Sequence, residues 1–222
     1  MATVIGDLLP LAVVVAISPI PVAATILMLL APRATAASGG FLLGWVAGIV
    51  VGTVAFTVIA STAGLSESGG RSTTGSWIRI VLGVGLLLLA RRQWRGRPHG
   101  DEPAQLPKWM GAIDKVTFGK AIGLGFVLAA NPKNFLMYVA AGTSIGGADL
   151  GTGRAIVAVA VFTVIAASSV AVPVVGYAFA RERMQAPLGS LKTWLETNNA
   201  TVMTVLLGII GVVLIGKGIG GL

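Results

Sequence analysis

The chain has 222 residues, 55% of them hydrophobic and 11% charged, with a mean hydropathy of +0.89. A soluble domain carries about 25% charged residues, so this composition excludes an ordinary water-soluble protein and points to one built into a membrane. The absence of cysteine excludes disulfides, zinc–thiolate sites and cysteine-ligated iron–sulfur centres, and the net charge of +8 comes from residues gathered at the ends of apolar runs, which suits an anionic leaflet rather than nucleic acid.

Six long apolar runs predict six spanning helices at about 20 residues each. The N-terminal stretch lacks a basic region and a small-residue cleavage site, so it reads as a retained first helix and not as a signal peptide. That helix covers about residues 8–30 and carries Ser18, Pro19, Ile20 and Pro21 at mid-depth, with Thr25 further along. A turn with Pro32 and Arg33 follows. Helix 2, about 40–60, carries Gly44, Gly48 and Gly52 on one face at i,i+4 spacing, a pattern that lets two helix backbones approach closely. A polar connection rich in glycine and serine leads to helix 3, about 77–90.

The longest polar segment, 91–117, holds Arg91, Arg92, Arg95, Arg97, Lys108 and Lys115 against Asp101, Glu102 and Asp114, and its prolines at 98, 103 and 107 argue against one long helix. Trp109, Met110 and Ile113 fit a short turn on the membrane surface. Helix 4 spans about 118–141 and is interrupted by Asn131, Pro132, Lys133 and Asn134. A glycine-rich turn with Asp149 and Arg154 precedes helix 5, about 155–178, with Pro173 near its end. The segment 181–199 reads as an interfacial helix, with Leu188, Leu191 and Leu195 at helical spacing, Trp194 between them, and Lys192 and Glu196 on the wet side. Helix 6 covers about 200–219, where Gly208 and Gly211 are also expected to pack.

Basic residues set the orientation. Arg33, the six of the central loop, and Arg181, Arg183 and Lys192 fall on one side, predicted cytoplasmic; Arg71, Arg154 and Lys217, with Arg79 near that edge, fall on the other. Both termini are then outside. The expected fold is an all-α polytopic membrane protein whose six transmembrane helices form a 3+3 inverted repeat. Residues 1–90 make the first half, 91–117 the basic cytoplasmic loop and 118–222 the second half. The repeat rests on the proline-centred breaks at Ser18–Pro21 and Asn131–Asn134, each in the first helix of its half. Interrupted spans at matching positions are the sequence mark of a transport site.

Lys133 is the most informative residue, because a cation deep in a bilayer is costly and usually marks a site or a pathway. From Phe118 to Lys133 is roughly 22 Å of helix at 1.5 Å per residue, far for a side chain to snorkel, which is the plain alternative. Proline removes a backbone donor, so carbonyls near Leu128 and Ala129, and others near Ser18, need new partners. Ser18 can supply one such bond; Asn131 and Asn134 offer amides to the backbone, a partner helix or a substrate; Lys133 adds three donors. The substrate-binding or gating set is therefore Ser18, Pro19, Pro21, Asn131, Pro132, Lys133 and Asn134, and it suits a carboxylate, sulfate or phosphate. Asp7 and Asp149 read as wet-edge residues, and no span has an acidic residue at its centre, which argues against a simple carboxylate proton relay. His99 is the only histidine and has no metal-ligating neighbours, and no phosphate-binding loop is present, so neither metal, cofactor nor enzymatic activity is expected.

With its six spans, the SPIP motif at Ser18–Pro21, the long basic central loop and NPKN at Asn131–Asn134, the chain resembles the LysE superfamily of exporters. Within it, the pattern is most similar to the actinobacterial Sap or GAP-like branch, the sulfolipid- and peptidoglycolipid-addressing proteins. Amino-acid exporters of the superfamily carry PGP in helix 1 where this chain has SPIP, while their NPK falls on Asn131, Pro132 and Lys133. The resemblance implies a membrane transport protein that assists export of a cell-envelope glycolipid or peptidolipid across the inner membrane. Its partners would be membrane lipids and a large lipid exporter, with homo-oligomers also open. The rivals are a small-solute exporter of the amino-acid type and a non-transporting scaffold for a larger lipid exporter.

Overall fold

Proline and glycine decide where this apolar chain bends and where its helices touch. The structure, a computed structural model, describes residues 1–31, 34–62, 73–96, 116–148 and 150–222, apart from the side chains at 181–186, 192, 193, 195–197 and 199. In chain order the helices are α1 (Ala2–Ala16), α2 (Pro19–Leu30), α3 (Ala34–Thr62), α4 (Thr73–Arg95), α5 (Phe118–Ala129), α6 (Pro132–Gly146) and α7 (Gly151–Ile219). No strand occurs among the described residues.

The first predicted run is two helices, α1 and α2, bent by 53°. Pro19 has no N–H for the carbonyl of Val15, and the residue before a proline is pushed to extended geometry. Ser18 accordingly has φ −111° and ψ 99°. The fourth predicted run divides the same way into α5 and α6, with Asn131 at φ −69° and ψ 155° ahead of Pro132.

Among the described residues, four helical stretches are long and apolar enough to cross a membrane: α3, α4, and residues Gly151–Ala180 and Ala200–Ile219 of α7; the bent α1–α2 pair makes a fifth. α5 and α6, about 18 and 22 Å long at 1.5 Å per residue, are each too short to cross alone. The chain is thus an all-α, multi-helix protein of the polytopic membrane class.

α5 and α6 run in line beside α3, parallel to it. A Cβ on Gly40 would meet the Phe118 carbonyl at 2.5 Å, one on Gly44 would collide with the backbone of Ile122, one on Gly48 would come within 2.5 Å of the Ala129 Cβ, and one on Gly52 within 2.5 Å of the Tyr138 ring. Further along, Gly146 faces Thr57 and Ala60. The α5–α6 break therefore lies beside the middle of the 29-residue α3. α4 packs antiparallel on the end of α7, where Gly83 meets Gly211 and Ser76 meets Gly218. Gly208, expected to pack like Gly211, has nothing within 4 Å. Three residues apart on a helix is about 60° of rotation, enough to turn Gly208 off the α4 seam.

α1 is antiparallel to the same stretch of α7. Asp7 pairs with Lys217 near the chain ends, while Val14 and Met203 meet a common partner in the middle. The core is filled by Phe41, Trp45 and Ile49 of α3, Leu86 of α4, Met137 and Ile145 of α6 and Phe162 of α7, all buried. A second cluster joins Val22, Ile26 and Leu29 of α2 to Tyr177 and Leu188 of α7.

The segment predicted as interfacial, 181–199, is helical throughout and continues α7 after a departure from helical geometry at Ala180 (φ −143°, ψ 48°). Leu188 is buried against α2, whereas Leu191 and Trp194 are exposed. Lys192, Leu195 and Glu196, with Arg181 and Arg183, fall outside the described side chains. Pro32, Arg33, Arg71, Asp149 and the part of the basic loop from residue 97 to 115, including Arg97, His99, Asp101, Glu102, Lys108, Trp109, Met110, Ile113, Asp114 and Lys115, also lie outside the described residues.

Candidate functional site

The site follows from which carbonyls the two prolines strip of their usual donors. Ile17 N–H still reaches Val13 O at 2.9 Å, but Ser18 N–H turns to Ala16 O at 2.8 Å, so Val14 O loses its i+4 partner. Val15 O would have been served by residue 19, which is proline. The hydroxyl of Ser18 donates to it at 2.6 Å. In the second break, Leu128 O would have been served by residue 132, again proline, and Asn131 Nδ2 donates to it at 2.8 Å. The two breaks thus share one solution: the side chain just before the proline satisfies the carbonyl four residues before the proline.

Asn131 does a second job. Its Oδ1 accepts from the backbone N–H of Asn134 at 3.0 Å, which makes it the N-cap of α6. Ala129 O accepts from Asn134 Nδ2 at 3.2 Å and from the Tyr138 hydroxyl at 3.0 Å. Both asparagine amides are therefore committed to their own backbone and not to a neighbouring helix. Asn134 is fully buried, and its Oδ1 has no partner among the described residues.

Lys133 is the residue that joins the breaks. From the first turn of α6 its Nζ donates to Val14 O at 2.8 Å and to Ser18 Oγ at 2.6 Å, with Met203 Sδ at 3.8 Å. The carbonyl freed where α1 unwinds is thus taken by the cation from where α5 and α6 part. All three partners are uncharged, so among the described residues this ammonium is met by dipoles alone. Ser18, at 3% exposure, receives from Lys133 and gives to Val15. That chain of hydrogen bonds holds its hydroxyl proton on the α1 side.

The remaining predicted residues act differently. Pro19 and Pro21 are buried in the first turn of α2 and contribute by the donors they lack; Pro21 O takes up the hydroxyl of Thr25 at 2.8 Å. Pro132 is exposed at the start of α6 and, like the other two prolines, contributes by the donor it lacks. Gly44, Gly48 and Gly52 form the α3 seam that brings the second break to the middle of the bundle. Three participants had no sequence signal: the Val14 carbonyl, Met203, and Tyr138, which packs edge-on against Phe162.

The helices and this polar junction define a polytopic membrane protein in which a partly buried cation ties one broken helix to another. The chain belongs to the family described as Sap, sulfolipid-1-addressing protein, whose match runs over residues 8–220 and so takes in both breaks. No curated protein and no solved structure matches the chain.

Proposed function

We propose that the protein assists export of a cell-envelope glycolipid or peptidolipid, and that the junction of Ser18, Lys133 and the Val14 carbonyl is where the polar head is handled. Membership of the sulfolipid-addressing family supports lipid export as the role and transport, not catalysis, as the activity. The observation that carries the assignment to the junction is the 2.6 Å contact of Lys133 Nζ with Ser18 Oγ. A cation whose partners are all neutral is incompletely compensated in a low-dielectric interior. An anionic head group can displace Ser18 and Val14 and supply the missing charge, separating α1–α2 from α5–α6 as it does so. Alternating exposure follows when the two breaks part and rejoin.

The same reading takes α5 and α6 as one interrupted crossing, giving six spans in a 3+3 inverted repeat. Two observations support it. The breaks satisfy their carbonyls in the same way, and Asp7 meets Lys217 at one end of the bundle, which fits an even number of crossings. The plasma membrane, both termini outside, and residues 91–117 as a cytoplasmic loop that docks a larger lipid exporter complete the proposal.

The test is translocation of a labelled sulfated glycolipid in reconstituted vesicles. Replacing Lys133 removes hydrogen bonds from a charged donor, each worth about 1.5–3 kcal/mol, so Lys133→Ala is expected to slow translocation about tenfold or more. An unchanged rate in a folded K133A protein would remove the junction from the mechanism.

A further inference from the structure

Two lysines hold α1, one near each end. Lys133 Nζ donates to the Val14 carbonyl at 2.8 Å, and Lys217 pairs with Asp7 at the end of the bundle where the chain begins and ends. Between these two holds, α1, α4, α6 and α7 enclose a cavity of about 140 Å³. Asp7 and Lys217 line it, together with Leu11, Ala140 and Ile210; Arg79 of α4 also lines it and is itself engaged. The ion pair is the more exposed part, at 30% for Asp7 and 44% for Lys217, while Leu11 and Ile210 are buried. The pair therefore stands at the mouth of the cavity and the apolar residues stand deeper.

Helical periodicity puts this cavity and the junction on one seam. On α6, Lys133, Met137 and Ala140 follow at steps of four and three residues; on α7, Met203, Leu207 and Ile210 do the same, so each set shares a face. From Lys133 to Ala140, and again from Met203 to Ile210, seven residues rise about 10 Å at 1.5 Å per residue. On α1 the step is shorter, from Val14 to Leu11, whose side chain leans toward the N-terminus and so toward Asp7. Met137 and Leu207 lie between the two sites on their helices, and both are buried in the apolar core. They form a floor under the cavity. A polar head passing them loses its hydrogen bonds to water, and an apolar constriction also bars water and ions.

We propose that the cavity is the vestibule joining the junction to this end of the bundle, closed by two barriers in series: the Asp7–Lys217 pair at its mouth, and Met137 with Leu207 at its floor. The inference rests on the reading of the junction as the place where the polar head is handled, and adds the route to it. With both termini outside, this is the exit side. The pair carries no net charge and draws no ligand; it is a latch that holds α1 to α7. Because α1 bears a partner of each lysine, a head group that displaces Val14 from Lys133 loosens the same helix that carries Asp7.

The test labels single cysteines in the purified full chain, in a neutral detergent, with the uncharged reagent iodoacetamide; the chain has no cysteine of its own. Ile210→Cys reports the cavity, and Met203→Cys the junction beneath the floor. A partly exposed ion pair is weak, so Asp7→Asn or Lys217→Gln is expected to speed labelling of Ile210→Cys roughly threefold. The exchanged pair, Asp7→Lys with Lys217→Asp, is expected to restore the starting rate, and Met203→Cys to stay slow throughout. An unchanged rate at Ile210→Cys in both single variants overturns the latch, as does an exchanged pair that fails to slow it again. An equal gain at Met203→Cys overturns the floor. Should a variant not fold, the native pair still decides: sodium chloride screens it, so labelling of Ile210→Cys must rise with salt, and salt-independent labelling overturns the latch. In the vesicle assay, Asp7→Cys and Lys217→Cys joined by a cleavable bis-maleimide are expected to stop translocation of the labelled glycolipid, and cleavage of the linker to restore it. Full translocation by the joined protein overturns the gate and leaves the junction standing. No translocation by the wild type defeats the export reading, and the labelling rates then decide the vestibule by themselves.

Discussion

Ser18 and Asn131 each stand immediately before a proline and each close the gap that proline opens. Asn131 carries more, since it also caps α6. Losing the cap costs about 0.5–2 kcal/mol, and the carbonyl of Leu128 would be left without its donor in an apolar setting. Asn131→Ala is expected to lower stability in detergent by about 2 kcal/mol, read from unfolding by a denaturing detergent. Ser18→Ala leaves Val15 O without its hydroxyl and removes one of two oxygen acceptors of Lys133, so it is expected to impair both folding and translocation; full transport in that variant would argue that Val14 O alone serves the lysine. Much of this was legible in the chain, because a proline announces which carbonyl it strips. The destination of the asparagine amides was not: backbone, neighbour and substrate are equivalent acceptors on paper, and only the turn geometry at 129–134 selects the backbone. Nor could sequence supply Met203, since its nearness to Lys133 depends on how α7 returns across the bundle.

At the scale of the helices, the glycines of α3 set depth. By admitting the backbone of α5 and the first turns of α6, Gly44, Gly48 and Gly52 place the second break beside the middle of a long spanning helix. Their i,i+4 spacing was readable, but the partner was not, because close approach can be made within a chain or between copies. Gly208 shows the limit of composition: a glycine in an apolar helix is a contact only if its face meets another helix, and here it does not. The contrast gives a graded test. Gly44→Ala forces a methyl into the Ile122 backbone, and overpacking of this kind costs about 1–3 kcal/mol. Gly39→Ala, with nothing within 4 Å of its new Cβ, is expected to be neutral or slightly stabilising through helix propensity. Equal thermal stability of the two variants in detergent would contradict the α3–α5 seam.

For the molecule as a whole, the number of crossings is the question on which the transport reading turns. Among the described residues, four helical stretches and one bent pair are long and apolar enough to cross, and an odd number of crossings sends the two ends of a chain to opposite faces of the membrane. The pairing of Asp7 with Lys217 brings the two ends together, and the proposed six-span reading takes the interrupted α5–α6 stretch as the further crossing. The apolar run at 118–141 marked this segment as a span in the sequence, and the break at 131–134 leaves α5 and α6 each too short to cross alone. Because the chain has no cysteine, single cysteines report position cleanly. Ala2→Cys and Leu222→Cys are expected to react with a membrane-impermeant maleimide on intact cells, and Gly96→Cys, exposed at the far end of α4, only after permeabilisation. Reaction of one terminus but not the other would leave an odd number of crossings and break the inverted repeat. Reaction of Gly96→Cys alone would keep the repeat and reverse its orientation.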